Sequence, residues 1–112
     1  MPYKLNIADV VHVPIKFDVN NGGKNKHFSF FLVCDRLEQD EIKDRTKDPE
    51  MPVSDFVKSV TKGWIGQTIV VDEEGKPAEF SDETFGLMLK MPGFSLIAYK
   101  SYFEECGAKA KN

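Results

Sequence analysis

The chain of 112 residues has few of the side chains that bind metals, with only two histidines and two cysteines. A zinc site usually needs Cys and His in pairs at short spacing, whereas Cys34 and Cys106 stand alone and far apart in the sequence. His12 and His27 both fall at polar positions of predicted strands. We therefore expect no metal and no cofactor, and we interpret each cysteine as a small buried or half-buried side chain.

Catalytic motifs are missing as well. No serine lies in a G-x-S-x-G elbow, and Gly22-Gly23 followed by Lys24 lacks the spacing and the following helix of a phosphate loop. The acidic run at residues 72–74 lacks the remaining ligands of a calcium loop. We expect no catalytic residue and no enzymatic activity. The alternative is a small enzyme in which His12 or His27 is buried beside a carboxylate.

An excess of positive charge is also absent, since 15 basic and 18 acidic residues give a net charge of −3. A nucleic-acid-binding domain usually carries a basic patch or stripe. The nearest candidate, formed by Lys24, Lys26 and His27, is interpreted as a solvated hairpin tip. No apolar run is long enough for a signal peptide or a membrane span. These absences predict a cytoplasmic protein with reduced thiols that binds neither nucleic acid nor membrane.

What the chain does have is enough apolar side chains for one folded core. Its residues are 41% hydrophobic and 12% aromatic, including nine Phe, and a chain of this length fits a single domain. We therefore predict one domain over residues 1–112, with flexible ends at residues 1–9 and 108–112.

The N-terminal part of the sequence predicts a β-hairpin. Apolar and polar residues alternate over residues 11–19, as in a half-buried strand. Pro14 lacks a backbone N–H and favours an edge strand. The segment 20–23 contains Asn and Gly and predicts a turn, and residues 26–37 are predicted as the second strand.

The remaining elements complete a predicted α+β fold. Residues 38–47 predict a short exposed helix, and Phe56, Val57 and Val60 belong to another that ends at Gly63. Residues 64–72 predict a third strand, and residues 77–80 could pair with it as a short fourth. Two C-terminal helices follow, one beginning at Ser81 and one ending at residue 106. The predicted fold is a small α+β domain, with an N-terminal antiparallel hairpin, a third strand and three to four short helices.

More apolar surface is present than one small core should need. In the last helix, Leu96, Tyr99 and Phe103 form a second apolar stripe. Phe31 and Val33 lie on the strand face that is expected to be exposed to solvent. Such surface favours a protein interface, although a helix buried between other elements would also account for the stripe. Trp64 is either packed on the preceding helix or part of an interface. The candidate interface residues are Phe31, Val33, Trp64, Leu96, Tyr99 and Phe103.

An ordered set of segments runs through the C-terminal half, which begins at Trp64. These segments are Trp64-Ile65-Gly66, Val71-Asp72-Glu73-Glu74-Gly75-Lys76-Pro77, Phe80-Ser81-Asp82-Glu83, Leu87-Met88-Leu89, Met91-Pro92-Gly93 and Tyr102-Phe103-Glu104-Glu105. In this order they resemble the small tail assembly chaperones of long-tailed bacteriophages and their prophage relatives.

The resemblance implies a non-enzymatic assembly factor made in the host (bacterial) cytoplasm. Its expected partners are the tape measure protein, whose apolar helical segments it would keep soluble, and the tail tube subunits. Two alternatives are also binding proteins: a structural tail component of the terminator or connector type, and a homo-oligomeric adaptor.

Overall fold

A long antiparallel hairpin is the first element of the computed structural model, which describes residues 7–47 and 50–107. Strands β1 (Val10–Asn21) and β2 (Lys24–Asp35) pair along their full length. Gly22 and Gly23 connect them with φ angles of 65° and 92°. Positive φ at both central residues is what a type I′ turn requires, and glycine adopts it without steric cost. The predicted hairpin is confirmed.

A third strand, β3 (Thr61–Ile65), pairs antiparallel with β2 and gives the strand order β1-β2-β3. The sequence predicts a third strand, but its predicted bounds, residues 64–72, are wrong. In the same way Gly63, predicted as a helix cap, lies inside β3. The preceding helix is capped instead by Thr61, whose backbone N–H and hydroxyl both donate to the carbonyl of Val57.

The segment after β3 leaves the sheet because a buried glutamine organises it as a loop. The Gln67 side chain is 2% exposed, and its Nε2 donates to the carbonyls of Val70 and Ala78. Its Oε1 accepts from the backbone N–H groups of Ile69 and Val70. These bonds satisfy backbone groups that a sheet would otherwise pair. The proposed short fourth strand is reduced to one bridge, Val71 to Pro77.

Four helices complete the α+β fold among the described residues. They are α1 (Gln39–Thr46), α2 (Val53–Val60), α3 (Asp82–Leu89) and α4 (Phe94–Cys106). Helix α3 begins as predicted, because the Ser81 hydroxyl accepts from the backbone N–H of Thr84. Helix α4 follows Gly93, whose φ is 84°.

The core lies between one face of the sheet and helices α2, α3 and α4, whereas α1 has no buried residue. The sheet contributes alternate residues, as period two requires. The buried apolar side chains are Val11, Val13, Ile15, Phe30, Leu32 and Cys34 from the hairpin, Phe56, Val57 and Val60 from α2, Phe85 and Met88 from α3, Phe94, Ala98 and Tyr102 from α4, and Leu37 and Val70 from the connecting segments.

Helix α4 packs against β1, which is an edge strand, as Pro14 predicts. The Ser101 hydroxyl donates to the carbonyl of Pro14. Arg36 joins the two ends of the fold, since its side chain donates to the carbonyls of Ala8 and Cys106. Most of the predicted flexible ends, residues 1–6 and 108–112, lies outside the described residues.

Candidate protein-interaction surface

The sheet has two faces, and its second face is turned away from the helices. The pairing of the strands shows which residues belong to this second face, because directly opposite residues share a face. Pro14 pairs with Phe31, and Phe31 pairs with Ile65 on the other side. We call this surface the open face; its central residues are His12, Pro14 and Lys16 of β1, Ser29, Phe31 and Val33 of β2, and Gly63 and Ile65 of β3.

The centre of the open face is apolar and in contact with water. Phe31 is 45% exposed and Ile65 is 49% exposed, and the two are direct cross-strand neighbours. Val33, one row away, is half-buried, and the His12 ring lies 6.4 Å from that of Phe31. Fully burying a large apolar side chain is worth about 1.5–3 kcal/mol. A partner that covered this row would therefore gain free energy that the isolated domain leaves unused.

The charges around the apolar row are mostly paired. His27 Nδ1 lies 2.8 Å from Asp18 Oδ1, and Lys62 Nζ lies 3.1 Å from Asp35 Oδ1. All four side chains are about half exposed or more, so each pair contributes little to stability. Lys16, exposed in the row beside Phe31, forms no ion pair with the described residues. The open face thus has one uncompensated positive charge beside its apolar centre.

The candidate residues of α4 lie on the opposite side of the sheet and do not form one exposed stripe. Leu96 is 49% exposed. Tyr99 and Phe103 are half-buried, because their rings contact Phe56 of α2 at centroid distances of 5.5 and 5.6 Å. Phe94 of the same helix stacks on Phe30, on the covered face. The structure therefore does not bring the α4 residues together with Phe31 and Val33.

Trp64 is also on the covered side, where it is half-buried. Its ring contacts Phe80 at 5.2 Å and Phe85 at 6.2 Å, and its Nε1–H donates to the carbonyl of Ala78. These contacts give both its apolar ring and its one polar group a partner. Trp64 thus contacts both the loop that follows β3 and helix α3.

Ile65 is an exposed apolar residue of the open face that is missing from the candidate interface residues. It follows Trp64 directly, so in a strand the two side chains must point to opposite faces. Once Trp64 is placed on the covered side, Ile65 must lie on the open one. The alternation of side chains along a strand could therefore have identified Ile65. It could do so only if the pairing of β3 with β2 was already known.

The two thiols lie on the covered side of the sheet and are free. Burial raises the pKa of the Cys34 thiol to about 11, against a weaker opposing effect of the Thr61 hydroxyl, which lies 3.6 Å from the sulfur. Burial likewise raises the pKa of Tyr102, whose O–H donates to the carbonyl of Asp35 at 2.7 Å. A buried thiol that stays protonated is a weak nucleophile and a weak metal ligand.

Neither face assembles a recognisable reactive centre from the residues that the structure describes. His12 contacts Phe31, and His27 is exposed beside Asp18. Within residues 7–47 and 50–107, no group of three or more His, Cys, Asp or Glu side chains is placed to hold a metal ion. No described helix has both the length and the apolar character needed to cross a membrane.

Known proteins add no further assignment to this surface. No family model, no curated protein and no solved structure matches the chain.

Proposed function

We propose that this protein binds an apolar segment of another protein on its open face, and that it acts as a tail assembly chaperone of the kind its C-terminal half resembles. The observation that carries the proposal is the pair formed by Phe31 and Ile65, which are neighbours in the sheet and are each nearly half exposed. A non-enzymatic binding role needs no reactive group, only apolar surface that a partner can cover.

The rest of the surface fits a protein that must stay dispersed while it exposes this patch. Helix α1 has no buried residue and carries acidic and basic side chains along its length. The chain as a whole has a net charge of −3. Mixed charge of this kind opposes self-association. In the proposed role, the partners are the tape measure protein and the tail tube subunits, which the chaperone would hold in the host cytoplasm until they assemble.

Co-expression with the tape measure protein of the same phage or prophage tests the proposal. The measurement is the fraction of tape measure protein that stays in the supernatant after centrifugation. We expect the fraction to rise when this protein is present. If it does not change, the chaperone function is wrong.

A matched pair of variants then tests the open face itself. Phe31→Asp introduces a charge at the centre of the patch and should abolish the effect. Leu87→Asp introduces the same charge at a side chain that is 51% exposed on α3, on the covered side, and should leave the effect intact. Circular dichroism and urea unfolding confirm that both variants fold. Equal loss in both variants would place the binding surface elsewhere.

A further inference from the structure

The open face offers a partner no main-chain hydrogen bonds. Strand β2 is the central strand, and its backbone groups are directed in the plane of the sheet toward β1 and β3. A segment that lies on this face must therefore satisfy its own backbone groups. An α-helix does this along its length, whereas a single extended strand does not.

The dimensions of the open face also fit one helix. Where β3 pairs with β2, from Phe31 to Cys34, three strands place the outer strand axes about 10 Å apart, close to the 10–12 Å diameter of a helix with its side chains. The surface is longer along the strands. From the row of Val10 and Asp35 to the row of Lys16 and Ser29 it spans seven residues of β1, and these six steps measure about 20 Å. A helix of about 14 residues has this length.

The charges of the open face favour some partner helices over others, according to the charge that the helix carries. Its two acidic side chains already have partners, since Asp35 forms an ion pair with Lys62 and Asp18 shares a hydrogen bond with His27. Lys16 has no charged partner among the described residues. A basic helix would meet uncompensated positive charge at Lys16. An acidic one would place a carboxylate opposite it.

We infer that the open face receives an amphipathic helix whose apolar stripe covers Phe31 and Ile65 and whose flanking carboxylates meet Lys16. This inference rests on the proposed binding function and adds the chemistry of the partner. The apolar row supplies most of the affinity, and Lys16 sets the preference for an acidic helix, since a charge at the rim of an interface acts mainly on specificity.

Two synthetic peptides test the inference by isothermal titration calorimetry with the full chain. Both have about 14 residues and leucines at helical spacing. One carries Glu and the other Lys on both sides of the stripe. The Glu peptide is expected to bind about fivefold more tightly than the Lys peptide, and the difference should shrink at high salt. Equal affinities, or no binding of the Glu peptide, would overturn the inference.

Charge-reversal variants assign the preference to a residue. Lys16→Glu should weaken binding of the Glu peptide by about fivefold and strengthen binding of the Lys peptide. The control is Lys26→Glu on the same hairpin, because Lys26 lies over the Phe28 ring on the other side of the sheet. It makes the same change in net charge and should leave both affinities unchanged. If the two variants change the affinities equally, the preference for the Glu peptide depends on the net charge of the protein. That result would overturn the role of Lys16.

Phe31→Asp separates this inference from the proposed function. If it abolishes the holding of tape measure protein while the two peptides bind equally, the binding function stands and the acidic helix is wrong. Light scattering of the free protein checks one other occupant. A dimer that Phe31→Asp dissociates would assign the open face to a second copy of the chain and would also overturn the inference.

Discussion

Phe30 and Phe31 are neighbours in β2 with the same side chain, yet the first is 3% exposed and the second 45% exposed. Phe30 stacks on Phe94 and meets the edge of Phe17. Among the described residues, the one aromatic ring near Phe31 is that of His12, at a centroid distance of 6.4 Å. Successive side chains of the strand point to opposite faces of the sheet. The face on which the helices pack is the one that becomes buried.

The two faces therefore have different roles in the same sheet. The covered face receives side chains from α2, α3 and α4 and supplies the stability of the domain. The open face receives none from these helices, so its apolar centre at Phe31 and Ile65 is expected to contribute little to folding. A comparison of matched changes on the two faces can measure this division.

The largest expected difference is between alanine substitutions at the two phenylalanines. Phe30→Ala removes a fully packed ring and should lower the free energy of unfolding by about 3–5 kcal/mol. Phe31→Ala removes a half-exposed ring and should lower it by less than about 1 kcal/mol. Urea unfolding followed by circular dichroism measures both. Similar losses at the two positions would show that the open face also supports the fold.

The second prediction concerns pH and the buried thiol of the covered face. The pKa of Cys34 is about 11 in the folded protein, against an ordinary value of 9.0. Above pH 9 the unfolded chain therefore releases this proton while the folded chain keeps it, and the unfolded state gains stability. The free energy of unfolding should fall by about 2–3 kcal/mol between about pH 9 and 11. Below pH 8, the titration of Cys34 should not change the free energy of unfolding.

Cys34→Ala provides the control, because it removes the titrating group. Urea unfolding at pH 7, 9 and 10 should show a smaller decrease in this variant than in the original chain. At still higher pH, Tyr102 adds a decrease of the same sign, since burial raises its pKa as well. An identical pH dependence in the two proteins would mean that Cys34 is accessible to water in the folded state.

The smallest effect is expected for the hydrogen bond between His27 and Asp18 on the outer part of the open face. Asp18→Asn removes the carboxylate beside His27, and both side chains are about 60% exposed. The free energy of unfolding should change by less than about 1 kcal/mol. Urea unfolding at low and high salt measures the change. A larger loss would show that this face is held by its own polar contacts.

The hairpin and the start of α3 could be predicted from local residues. Alternation over β1, two glycines between the strands and a capping serine at Ser81 each act within a few positions of the chain. The third strand could not be located in this way. Residues 68–71 have the β-branched composition of a strand, yet the buried side chain of Gln67 takes their backbone bonds.

The candidate site shows the same limit. Phe31 and Val33 were predicted from the face they share, and the structure places both on the open face, with Phe31 exposed. Tyr99 and Phe103 were grouped with Leu96 from helical spacing alone, but the ring of Phe56 from α2 partly covers the two aromatics. Spacing gives the face of a helix and does not say which other element packs on it.

By itself, the sequence determined that the chain contains a hairpin, a further strand and C-terminal helices, because alternation, turn residues and caps act over short distances. Only the tertiary structure decided that β3 lies beside β2 and places Ile65 next to Phe31. It also decided that the helices pack on one face of the sheet. Both outcomes depend on contacts between residues far apart in the chain, whose free energies no local pattern encodes.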